Sequence, residues 1–267
     1  MRGDCMKRFR VLFLSLIISM FMIMPVYARA GGGGSSSGGG SSSGGGSSHY
    51  PTTHNNSTRS SGLNLFGVGF VLIVSSGAYI GFRIKVHKKK RVSMKLIKKI
   101  DDMDAAWDKN KLFARVHDVY FGVQEAWMQK DLEALKKYIS DSLYEDWKTK
   151  LEWMDLRNEK NILDCIKLKN ADIVGVYDAK NNDQDMVWFC IEGSMVDYIM
   201  NLETSEIVEG SKTSQSFTEY WKFIRKGNEF YLDEVRQKDE MDINNFINLS
   251  EEINHEDNGS SLWNSKK

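Results

Sequence analysis

The first 99 residues of this 267-residue chain hold one acidic residue, Asp4, against 15 lysines and arginines, so they carry +14 and the remainder carries −14. An acidic C-terminal part without a basic stripe excludes a nucleic-acid-binding domain, which needs clustered cations for its phosphate contacts. Cysteine is scarce. Cys5, Cys165 and Cys190 form no CxxC pair and no metal-ligand spacing, which excludes a thiolate metal site. Cys165 and Cys190 fall among apolar neighbours in expected strands, where cysteine packs as a small hydrophobe. Histidine is sparse too: His49 and His54 sit in a polar stretch too thin to hold a metal. Also missing are a Gly-rich phosphate loop, a nucleophile elbow and carboxylates paired at fixed spacing. No cofactor is implied, and a protein that is not an enzyme is expected.

What is present begins with a membrane pattern. Gly62–Phe82, GLNLFGVGFVLIVSSGAYIGF, has no charged residue and reads as a transmembrane helix, since about 20 helical residues cover the roughly 30 Å hydrocarbon layer. Nine lysines and arginines without an acid follow between Arg83 and Lys99. By the positive-inside rule that flank faces the cytoplasm. Arg83, Lys85, Lys88, Lys89, Lys90, Arg91 and Lys95 are therefore the expected contacts to anionic lipid headgroups. Gly77 and Gly81 form one small-xxx-small pair, a signal for self-association through the span. Residues 1–30, with a basic start, an apolar run and Ala28-Arg29-Ala30, read as a signal peptide or, uncleaved, as a first span. Residues 31–61 form a Gly/Ser-rich linker expected to be disordered on the outer side of the cell membrane.

Beyond residue 83 the period changes twice. Leu96, Ile100, Met103 and Trp107 recur on one helical face in a basic juxtamembrane segment, 83–108. Either this stripe lies in the membrane interface with Trp107 at headgroup level, or it packs on the following domain. Asp108 is the expected N-cap of a helix over 109–130, a short helix restarts at Asp131, and Ser142 with Glu145 forms the expected capping box of a third. From residue 162 the runs 162–176, 186–200, 217–225 and 230–235 are rich in β-branched and aromatic residues and read as four antiparallel strands, with bulges at Gly175 and Gly193. Helices followed by a curved sheet predict a segregated α+β domain over 109–238. Residues 239–267 read as a polar, acidic, frayed tail.

The run from Phe121 to Trp147 and the later strand from Glu219 to Val235 carry a resemblance. Ala126, Trp127, Asp131, Leu132, Leu135, Ile139, Ser140, Leu143 and Tyr144, with Trp221, Phe223 and Arg225, match the motifs of the Tim-44-like domain, and the signal, linker and span before them resemble the bacterial members. The resemblance implies a nuclear transport factor 2-like cone, an antiparallel sheet curved around an apolar pocket. It also implies work near a membrane, as in the mitochondrial relative, an adaptor that binds cardiolipin and recruits a chaperone. This chain departs from that relative in having its own span. Cones of this class also host isomerases and dehydratases, for which His117-Asp118 would be the base.

The expectation is thus a membrane-anchored, cytoplasm-facing adaptor that binds a protein partner, a chaperone or secretion component, near the bilayer. The alternative is a pocket for a lipid or other apolar ligand. Tyr120, Trp127, Trp188, Trp221 and Phe223 are the candidate pocket or partner residues.

Overall fold

The computed structural model describes residues 61–253, with side chains from residue 77 onward. The expected signal peptide, nearly all of the linker and the last part of the tail lie outside the described residues.

Helix α1, Ser61–Asp101, runs 41 residues without a break. The expected span and the expected amphipathic segment are therefore one helix, because neither proline nor a polar turn separates them. Among the described residues no helix is long and apolar enough to cross a membrane; the side chains of residues 61–76, most of the expected span, lie outside them. A 3-10 turn at Ala105–Trp107 leads into α2, Lys109–Gln129, whose N-cap Asp108 accepts from the Lys111 amide. Lys130 closes α2 in the left-handed region, and Asp131 caps α3, Leu132–Leu135. The next helix, α4, Asp141–Leu156, is capped by Ser140 rather than Ser142. The reason is tertiary: the Ser140 amide donates to the Leu232 carbonyl and its hydroxyl to Asp233, so the chain is pinned at that residue and the helix starts at the next.

Four long strands follow: β1, Glu159–Asp178; β2, Met186–Asn201; β3, Ile207–Lys226; and β4, Glu229–Gln237. A fifth, β5, Asn248–Ser250, pairs parallel to β1, giving the order β4-β3-β2-β1-β5. The sheet is thus a curled, mixed half-barrel of five strands rather than four antiparallel ones. The segment after residue 239 is no frayed tail up to residue 253, because Ile243 and Phe246 are buried on the sheet.

Three register shifts along β1 bend it. One falls at Gly175 as expected. Gly193 is not a bulge but lies opposite one, where Lys169 is the extra residue. It is glycine for space: a Cβ there would come within 2.5 Å of the Phe217 ring and the Tyr120 hydroxyl. Cys165 is exposed with φ 51 inside another shift, so the expected core role fails, whereas Cys190 is buried. A strand that bulges reverses its side-chain alternation, and an apolar neighbourhood in sequence does not survive that reversal.

Strand alternation gives the sheet two covered faces. The inner face packs Val187, Phe189, Ile191, Trp221, Phe223 and Leu232 against α2, α3, α4 and the last turns of α1. The outer face carries Val174, Cys190 and Tyr220, covered by Val86 of α1 and by Ile243 and Phe246.

Candidate functional site

The helix α1 reaches both faces, and its charges decide how. Near Val86 it crosses the outer face, where Asp172 of β1 and Glu192 of β2 point outward beside Cys190. Arg83 pairs with Asp172 at 3.2 Å and with Glu192 at 3.1 Å, and Lys90 pairs with Asp172 at 2.6 Å. The Asp172 side chain is only 4% exposed, a burial tolerated because two cations and the Asn170 amide, at 2.8 Å, satisfy it. Lys89 donates to the carbonyls of Phe246, at 2.5 Å, and Asn244, at 3.0 Å. Of the seven cations expected to meet lipid, Arg83, Lys89 and Lys90 thus turn to the domain, while Lys85, Lys88, Arg91 and Lys95 are exposed. The stripe of Leu96, Ile100 and Trp107 packs on the domain too. Ile100 and Trp107 are fully buried and the Trp107 ring meets Phe230 edge-on at 5.1 Å, while Met103 alone stays exposed.

The five aromatic candidates do not share one cavity. Tyr120, Trp221 and Phe223 lie fully buried in the inner core, with Tyr120 and Trp221 centroids 5.5 Å apart. Trp127 packs edge-on to Trp147 at 5.3 Å and donates to Asn161 Oδ1 at 3.1 Å. Trp188 stands on the outer face against Phe246, with Lys222 Nζ 5.8 Å from its centroid. Trp221 donates to Glu219, which Gln237 also satisfies. His117, the candidate base, is exposed beside Phe121, and Asp118 pairs with Arg115 at 3.5 Å. Among the described residues no group of histidine, cysteine and carboxylates could hold a metal.

A buried ionic cluster fixes the turn between α1 and α2. Arg225, at the end of β3, pairs with Asp104 of that turn and with Asp185 at 3.0 Å, and its Nε donates to the Gly227 carbonyl at 2.7 Å. Asp185 accepts from the Ala179 amide, and nearby Asp178 accepts from the Ser250 hydroxyl at 2.5 Å. Burial pushes the Asp185 carboxyl up to about 6 despite these partners, and burial likewise raises Asp178. Burial also acts against Asp104, but the Arg225 and Ala106 hydrogen bonds outweigh it and hold that carboxyl below the usual range.

One open cleft combines charge with an apolar floor. About 480 Å³ in volume, it lies where α1 and α2 pass over β1, with Lys90, Lys109 and Lys169 above Met94, Phe113 and Leu168. Lys169 is the bulge residue opposite Gly193 and reaches Ser216 Oγ at 2.7 Å. No local pattern marks it, because its direction depends on the bulge. Lys109 and Phe113 were legible only as positions on a helix.

Helices packed on a curled sheet, with ion pairs and clefts at its surface, make this a domain of the α+β class. The family model for the Tim44-like domain matches residues 93–237, more than half of the chain, and the chain belongs to that family. Among solved structures it is similar to the crystal structure of the intermembrane space region of chloroplast protein ARC6, at 11% identity and a TM-score of 0.35, over 46% of this chain and 95% of that one. No curated protein matches the chain.

Proposed function

We propose that this protein is a membrane-anchored adaptor whose Tim44-like domain faces the cytoplasm and binds a protein partner close to the bilayer. The observation that carries this reading is the unbroken helix α1, whose C-terminal half packs on both faces of the sheet and whose N-terminal half is the expected span. A tether joined this way holds the domain at a fixed stand-off instead of on a loose linker. Exposed Lys85, Lys88, Arg91 and Lys95 supply the headgroup contacts, each worth roughly 1 kcal/mol at an anionic surface. The partner belongs to the chaperone or secretion class that the resemblance implies. Alkaline extraction of membranes tests the anchor. The full-length chain stays in the pellet and a deletion of residues 62–82 leaves it; a full-length chain released by alkali overturns the reading. Photo-crosslinking from Lys222 in the full-length protein then gives a discrete protein adduct, and lipid adducts alone would argue against an adaptor.

The cleft of Lys90, Lys109 and Lys169 favours a second reading, a protein that binds a phosphate-bearing lipid with its chain on the apolar floor. Replacing Lys109 and Lys169 by glutamate in the full-length protein then removes co-purifying anionic lipid. Retention of that lipid would sink this alternative.

A further inference from the structure

Large apolar side chains gather, exposed, at one end of the molecule. Trp153 is 57% and Leu156 75% exposed at the end of α4, and Leu202, Ile207 and Val208 lie exposed at the β2–β3 hairpin. Hydrogen bonds hold the two groups together: the Leu202 amide donates to the Asn158 carbonyl, the Asn201 side chain to the Arg157 carbonyl, and the Asn158 side chain to Glu203. A surface of this composition on a soluble face marks an interaction site more often than chance.

The rim of this end is acidic. Glu152, Glu203 and Glu206 are exposed and Glu209 faces Asp197 and Glu159 from β3, while Asp155 is paired with Lys130 and Glu159 with Arg157, which leaves the acids in excess. Burial first, then those two like charges, raises the Glu209 carboxyl against the opposing pull of Arg157. The same acids repel a second copy of the same surface. Strand addition is also discouraged. The outer edge of β3 over residues 207–218 has no strand partner among the described residues, but it is broken by Gly210 at φ 83 and by the extra residues Lys212–Ser214.

Position adds to composition. The turn that ends α1 lies at the end of β1, where Asp104 pairs with Arg225 of β3 beside Asp185. The apolar end sits at the start of β1, at the opposite end of the sheet from that turn. We infer that this surface docks a cationic amphipathic segment of a partner protein, its apolar side chains on Trp153, Leu156 and Leu202 and its lysines or arginines on the acidic rim. The inference deepens the adaptor reading by giving the partner's chemistry.

The test uses the full-length chain in zwitterionic nanodiscs with empty nanodiscs as background. The probe is a short leucine-lysine amphipathic peptide carrying a benzophenone; its leucine-glutamate counterpart and an all-lysine peptide of equal length are controls. The leucine-lysine peptide binds more tightly than either control and crosslinks within residues 153–156 and 202–208. Leu156→Ser with Leu202→Ser weakens it about tenfold, and Glu152→Lys with Glu206→Lys does so comparably, with unchanged melting. Equal binding of the all-lysine peptide, crosslinks elsewhere, or indifference to these substitutions overturns the inference. So does a chain that self-associates through this surface and becomes monomeric in the Leu156→Ser, Leu202→Ser variant. Loss of peptide binding leaves the alkaline extraction result standing, and the reverse also holds, so the two readings fail separately.

Discussion

The two faces of the sheet share strands β1, β2 and β3 and are held by different forces. The inner face is closed by aromatic and branched side chains from four helices, with Trp107, Tyr120, Trp147, Trp221 and Phe223 at 1% exposure or less. The outer face has a small apolar centre and is held mainly by Arg83, Lys89 and Lys90 reaching Asp172, Glu192 and two backbone carbonyls. Dispersion and burial are insensitive to salt and demand fixed shapes. Ion pairs with one partner at the surface are screened, weaker and reversible. The inner face therefore sets whether the domain folds, and the outer face sets where α1 lies on it.

Breaking the inner face gives the largest effect. Trp221→Ala in the full-length chain removes a fully buried indole and one hydrogen-bond donor of Glu219, costing about 3–5 kcal/mol, read as a lower guanidinium midpoint by circular dichroism. A midpoint shift no larger than that of an outer-face substitution would erase the distinction drawn between the faces. Gly193→Ala drives a Cβ into the Phe217 ring and the Tyr120 hydroxyl and costs about 1–3 kcal/mol by the same assay. On the outer face, Arg83→Ala costs about 1–2 kcal/mol, since Lys90 still serves Asp172. Its signature is local: amide exchange quickens in residues 82–90 while β2 and β3 stay protected, and uniform quickening would show that α1 and the inner core unfold together.

The smallest effect is at the turn where α1 passes between the faces. Asp185 titrates near 6 in a carboxyl NMR experiment, and a midpoint at its ordinary 3.8 would refute the burial argument. Because its folded-state value lies above the unfolded one, the native protein binds the extra proton between about pH 3.8 and 6. Its contribution to stability therefore falls as pH rises through that window. Asp104 acts in the opposite sense: its contribution is present above its ordinary value and is lost as pH falls through its depressed one.

What the sequence disclosed follows the same division. Helical periodicity placed α2 with its Asp108 cap, and the restart of a short helix at Asp131, because those signals are local. The strands β1, β2 and β4 were legible from their β-branched and aromatic runs, but β3 only from residue 217 onward, because its first half is largely polar and holds Gly210. The start of α4 was misplaced by two residues because its cap is fixed by Leu232 and Asp233, some ninety positions away. A three-residue strand such as β5 carries too little pattern to be seen, and its anchors Ile243 and Phe246 sit among polar neighbours. Alternation told that Trp188 and Trp221 lie on strands but not that they occupy opposite faces, since a bulge or a register choice inverts every side chain after it. The basic run was legible as charge. That Arg83 and Lys90 turn to acids of the domain, and Lys89 to two of its carbonyls, was not legible, because pairing across more than eighty residues leaves no trace in spacing.

The unbroken course of α1 has a mechanical meaning. At about 1.5 Å per residue its 41 residues form a rod roughly 60 Å long, with one end clasped between the faces of the sheet. A rod without a joint transmits direction as well as distance. Whatever fixes the tilt and rotation of its first turns also sets the heading of the domain, so that the acidic hairpin end points to one bearing instead of sweeping a hemisphere. Gly77 and Gly81, where an added Cβ meets nothing within 4 Å, are the places where that rod would most readily flex.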